Sequence, residues 1–180
     1  MALSGPAITL PPRGELRTAD TATVLQILLS CATAALDPAP ARAFVAPGQM
    51  VAFDDCCDGQ VWTRLVALEP QQASKLGATV GQGPCGQLWA VTVGVGVLRC
   101  AAGMTDQGTP PTAAAMTADA VQMAADLNAL ADAIYCCLAE QLPAVSRQFR
   151  LSRWDPIGPD GGCVGGEWIT QMVLQNIGCP

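Results

Sequence analysis

Bulky and small side chains alternate along Gln87–Cys100 (QLWAVTVGVGVLRC). Trp89, Val91, Val93, Val95 and Val97 hold one set of positions; Leu88, Ala90, Thr92, Gly94, Gly96 and Leu98 hold the other. A period of two puts the sets on opposite faces of a strand, one bulky and one nearly bare. Glycines at alternate positions weaken a strand, so their presence predicts that a backbone or a helix comes close to the bare face. The strand is expected at the centre of a sheet.

In two other segments the period is helical. From Thr18 or Thr21 to Leu36, the residues Val24, Leu28, Cys31 and Ala35 share a face, with Leu25, Ile27 and Leu36 beside them. Asp37-Pro38 stops that helix, because proline disfavours the helical region for the residue before it. A longer helix is predicted from Thr112 or Thr117 to Leu142. Met116, Ala120, Met123, Leu127, Leu130, Ile134 and Cys137 form its apolar stripe, Asp119, Gln122, Asp126 and Asp132 lie largely off it, and Pro143 ends it. The whole stripe, methionines included, is expected to be core.

Between the helices, the β-prone runs Gln49–Asp54 and Gln60–Glu69 flank Asp55-Cys56-Cys57-Asp58-Gly59 and predict a hairpin. Ala39–Gly48 reads as a proline-punctuated connection and Pro70–Gly86 as a long loop suited to contacting a partner. Two return strands are predicted, Arg147–Trp154 and Glu167–Gln175, joined by the loop DPIGPDGGCVGG. Residues 1–17, with Pro6, Pro11 and Pro12, read as an extended arm. Residues 18–180 then form a single α+β domain: a small, mostly antiparallel sheet with two helices packed on one face. Ile8, Leu10 and Leu16 of the arm and Leu76 and Val80 of the long loop are the candidate subunit contacts.

Composition narrows the function. The 180 residues are 51% hydrophobic, ample for a core, but only 13% charged. A surface so poor in charge implies that much of it is covered by other subunits. Net charge is -6 with one lysine, Lys75, so there is no basic groove for a nucleic-acid duplex. The absence of histidine removes the commonest general base and the commonest metal ligand together. The start of the chain lacks a signal-peptide pattern, and Val24–Leu36 is shorter than the ~20 residues that span a bilayer. A soluble chain made in a cytoplasm is the expectation.

Nine cysteines remain to be placed. None forms a C-x-x-C pair, so zinc-ribbon and thioredoxin readings lose their usual signature. In a meander, Cys56, Cys57, Cys100 and Cys163 would share one pole of the sheet, and Cys85, Cys136 and Cys137 the other. All seven are possible disulfide cysteines. The four at the first pole are also the weak candidates for zinc, since adjacent cysteines rarely point at one ion. Buried thiols packing as small hydrophobes are expected ahead of bridges, and bridges ahead of metal.

No enzyme constellation emerges. A cysteine nucleophile finds no histidine to activate it. Asp54, Asp55 and Asp58 lack the register of a calcium loop and suit a solvated turn. GGCVGG lacks the Lys-Ser/Thr of a phosphate loop. Neither catalytic residues nor a cofactor is expected.

Several separated motifs nevertheless form a pattern: DDCCDGQVW; a strand closing on Leu98-Arg99-Cys100; a Pro-Pro-Thr opening to an alanine- and aspartate-rich helix ending in Cys136-Cys137; and WDPIGPDGGCVGG at 154–166. Over roughly Gln49 to Leu174 the chain resembles the head-to-tail connector proteins of tailed bacteriophages infecting actinobacteria, most closely the tail terminators. The resemblance implies a homo-oligomer, a hexameric ring in the virion that caps the head-proximal end of the tail tube and joins it to the neck. Tail tube protein and neck stopper protein would be the partners, and DNA would pass through the lumen without specific binding. An acidic balance fits such a passage, because a basic lumen would hold the genome. A head-tail stopper or adaptor ring is the alternative within the neck. A cysteine-rich metal-binding or redox protein is the weaker one from another class.

Overall fold

The computed structural model describes residues 20–48, 51, 58–70, 88–104, 108–142, 149–160 and 162–175. In chain order its elements are α1 (Thr21–Ala35), β1 (Arg42–Ala46), β2 (Gln60–Pro70), β3 (Leu88–Cys100), α2 (Ala113–Gln141), β4 (Phe149–Asp160) and β5 (Cys163–Gln175). The five strands form one sheet in the order β1-β2-β3-β5-β4, so β3 is central. All neighbours are antiparallel except β1 and β2. The architecture is therefore α+β, two helices and a mostly antiparallel five-stranded sheet.

The bulky face of β3 makes the core. Val91, Val93, Val95 and Val97 are fully buried among Val24, Leu28 and Leu36 of the first helix region, Leu130, Ile134 and Leu138 of α2, and Met172 and Leu174 of β5. Both helices thus lie on one side of the sheet. Polar groups fix their seats: the Thr63 hydroxyl donates to the Leu25 carbonyl at 2.9 Å and Trp168 Nε1 to the Leu127 carbonyl at 2.9 Å. Cys31 and Cys137 form a disulfide between the helices, 106 residues apart in sequence. A cross-link closing so long a loop is worth about 2–4 kcal/mol.

The glycines of the bare face meet side chains first, where the sequence led us to expect a helix or a backbone, and at Gly96 the expected backbone is close as well, in the Gly166 carbonyl. A Cβ on Gly96 would collide with the Trp62 indole, and one on Gly94 with the Glu167 carboxylate. Trp62 comes from β2 and Glu167 from β5, the strands on either side, and both fold inward across the gap.

Four further details depart from the sequence reading. Asp20, not a threonine, caps α1 by accepting from the Thr23 amide at 2.7 Å. The first strand is Arg42–Ala46, inside the segment read as a connection, and it runs parallel to β2. The expected partner run at 49–54 lies, apart from Val51, outside the described residues. β1 sits at the edge of the sheet, where flanking prolines are tolerated. The DPIGPD segment belongs to β4 and the cysteine-glycine segment to β5. Pro156 and Pro159 are accommodated because β4 is the opposite edge. Gly166 is needed in β5 because the Trp154 ring lies where its Cβ would be.

The fourth departure concerns the stripe of α2. Its later members, Leu130, Ile134 and Cys137, are buried as expected, but Met116 is 53% exposed and Ala120 is exposed too. The physical reason is the polar anchoring described next.

Candidate functional site

Thr112 caps α2 by accepting from the Ala115 amide at 3.1 Å. From there to about residue 128, the helix is held to the body by its carboxylates. Asp119 accepts from the Ala102 amide at 2.7 Å. Asp126, only 3% exposed, forms a two-pronged ion pair with Arg99 of β3, at 2.5 Å from Nε and 2.9 Å from Nη2. Gln122 bonds Asp126 at 3.0 Å and reaches the Asp37 carbonyl past the end of α1 at 3.1 Å. Asp119, Gln122 and Asp126 recur every three or four residues and so share one helix face. Because that face is turned inward, the remaining arc faces outward. The outward positions are Ala113, Met116, Thr117, Ala120, Val121 and Ala124, all exposed and none charged. Val121 is 64% exposed, and Met104, in the segment leading into the helix, is 70% exposed.

Arg99, Cys100, Asp119, Gln122, Met123 and Val164 line a cleft of about 40 Å³ beneath this helix segment. That is room for roughly a single water molecule, whose share of liquid volume is ~30 Å³. With Arg99 and Asp126 engaged with each other, the cleft is a packing feature of the anchor.

A second polar cluster occupies the sheet face away from the helices. Glu167 accepts from Trp62 Nε1 at 2.8 Å and from Arg64 Nε at 2.7 Å through one oxygen, and from Arg64 Nη2 at 2.6 Å through the other. The Arg64 guanidinium is held above its ordinary value, first by the hydrogen bond to Glu167, against which burial works, and then by the charges of Glu167 and Asp155. All three side chains are largely or wholly buried and satisfy one another. The cluster stitches β2 to β5 across the glycine notch of β3. Its chemistry is structural, since its carboxylate has no free oxygen.

The cysteines divide differently from expectation. Cys100 and Cys163 stand opposite each other in the β3–β5 register, at one pole as the meander predicts. Both are disulfide-bonded. A sulfur in a disulfide offers no thiolate to zinc. Cys137 bonds Cys31, a cysteine missing from the candidate set, and Cys136 is free and exposed. The expectation that buried thiols would prevail at the first pole is therefore overturned at Cys100 and Cys163, and the helix pair carries a further bridge that was not expected. The available signal was that Cys31 and Cys137 both lie on apolar helix stripes and so face the same core. Cys56, Cys57 and Cys85, and the candidate contacts Ile8, Leu10, Leu16, Leu76 and Val80, lie outside the described residues. The sequence reading assigned no role to Arg64, Arg99 or Glu167.

Among the described residues, no group of three or more cysteines and carboxylates is placed to hold a metal ion, and no helix is long and apolar enough to cross a membrane. What the geometry offers is a surface: a rigidly anchored helix segment presenting an apolar outer face, on a sheet with edge strands β1 and β4. Compared with known proteins, the chain matches no family model and no curated protein.

Proposed function

We propose that this chain is a structural subunit of a phage virion, a tail terminator that assembles into a ring at the head-proximal end of the tail tube and joins it to the neck. The observation that carries the assembly part of the reading is the first half of α2. Its carboxylates point into the body and its methionine and valine point out. An isolated subunit gains nothing from that orientation, whereas a subunit covered by a neighbour buries those side chains. The charge-poor composition supports the same conclusion. The tail-terminator assignment itself rests on the motif resemblance between Gln49 and Leu174. The edge strands and the apolar helix face are the surfaces on which such a ring would be built, and on this reading the work of the protein is to touch copies of itself and the two ends it joins.

The test is the native mass of the purified chain, followed by imaging of the particle with a label on this subunit. A closed ring of identical copies, located between the last tube ring and the neck, is expected. A stable monomer across micromolar concentrations would refute assembly. A ring on the portal side of the neck would transfer the protein to the stopper or adaptor class.

A further inference from the structure

We propose that the uncharged outer face of the first half of α2 is the seat for the N-terminal arm, residues 1–17, of a neighbouring copy of this chain. The inference rests on the ring reading above and says which surfaces meet. Met116 and Val121 supply the large apolar groups of the seat, with small residues between them. The arm matches it in chemistry. Its first twelve residues, MALSGPAITLPP, contain no charged side chain and include Leu3, Ile8 and Leu10. Pro6, Pro11 and Pro12 reduce the conformational freedom that docking must remove. Neither the seat nor the first twelve residues of the arm carries a charged side chain that would be buried unpaired; Arg13, Glu15 and Arg17 lie in the part of the arm nearer Asp20.

Reach favours the neighbour over the same chain. The Cys31–Cys137 bridge and the Gln122–Asp37 hydrogen bond make α1 and α2 antiparallel. The described chain begins at Asp20, ahead of α1, so it starts at the end of the helix pair away from Val121. At 1.5 Å rise per residue the separation along the axis is about 40 Å. An extended chain covers about 3.3 Å per residue, so about twelve residues would be consumed in crossing. Leu10 and Leu16 would be spent on that passage, alongside a helix half whose outer face carries Asp132 and Glu140. Symmetry agrees. An arm laid on a different surface of the next copy is a heterologous contact, the kind that closes rings, whereas α2 packed on α2 would stop at a dimer.

The experiment places a photo-crosslinking amino acid at Val121 in the full-length chain. Light and isotopically heavy copies are mixed, the assembly is irradiated, and the joined peptides are identified by mass spectrometry. Crosslinks between heavy and light chains that end in residues 1–17 are expected. Val121→Asp, Met116→Asp and deletion of residues 1–17 should each lower the association constant by about tenfold or more, with the circular dichroism and melting temperature of the parent. Crosslinks confined to one chain overturn the inference, as do inter-chain crosslinks that avoid the arm. In both cases an intact ring in the mass measurement leaves the proposed function standing. A chain that stays monomeric removes the ring and this inference with it.

Discussion

In the second half of α2, Leu130, Ile134, Cys137 and Leu138 face the core while Asp132, Cys136 and Glu140 face outward, with Tyr135 half-exposed and edge-on against Phe149. In the first half the arrangement is reversed: Asp119 and Asp126 face the body, and Met116, Ala120 and Val121 face outward. One continuous helix thus follows the ordinary rule of burial at one end and its opposite at the other. The second half is held by apolar area, at roughly 25 cal/mol per Å². The first is held by a buried, two-pronged ion pair and a capped amide. Ion pairs of this kind add little net stability over a hydrophobic substitute, but they specify geometry when broken pairs are penalised. The comparison teaches that polar anchors on the inner face of a helix leave the apolar side chains of the same turns on the outside.

The largest loss should come from the sheet that supports both halves. Gly96→Val drives a side chain into the Trp62 indole and disturbs the Glu167 cluster beside it. It should leave little soluble protein; soluble, normally melting Gly96→Val would show that the notch can relax. Next, Asp126→Ala leaves the Arg99 guanidinium buried without its partner, at a cost of about 3–5 kcal/mol. If the anchor acts as described, hydrogen exchange should accelerate in residues 113–126 well before 130–141. A uniform change along α2 would erase the distinction between its halves. The smallest effects sharpen it furthest. Leu130→Ala should cost about 2–5 kcal/mol in chemical denaturation, whereas Met116→Ala should change stability by less than about 0.5 kcal/mol. Comparable losses at the two positions would mean that the first half is part of the core after all.

Much of the frame was legible from residue spacing. Alternation in Gln87–Cys100 located β3 to within a residue, and Thr112 and Pro143 bracket α2 closely. The return strands were read too short, because prolines and glycines signal turns in a local window. Pro156 is permitted only because β4 has a free edge, and Gly166 is required only because Trp154 crosses it. β1 was missed because five residues between prolines carry too weak a pattern, and its parallel partner lies well along the chain. Of the candidate contact surface, the sequence showed the apolar composition of the arm and the low charge. It did not show that α2 exposes Met116 and Val121, since a stripe of methionine and alanine reads as core wherever it occurs.

The amino-acid order by itself determined the class and the elements: two amphipathic helices, a central strand with one bulky and one bare face, and a chain in which only 13% of residues are charged. Periodicity reports these directly because it depends only on neighbours within a turn or a pleat. Only the tertiary structure decided which arc of α2 turns inward, that Cys31 meets Cys137, and that Trp62 and Glu167 fill the glycine notch. These depend on partners 27, 106 and 105 residues apart, respectively. A helical wheel gives the order of residues around an axis, but the rotation of that axis is set by the buried charge it must satisfy.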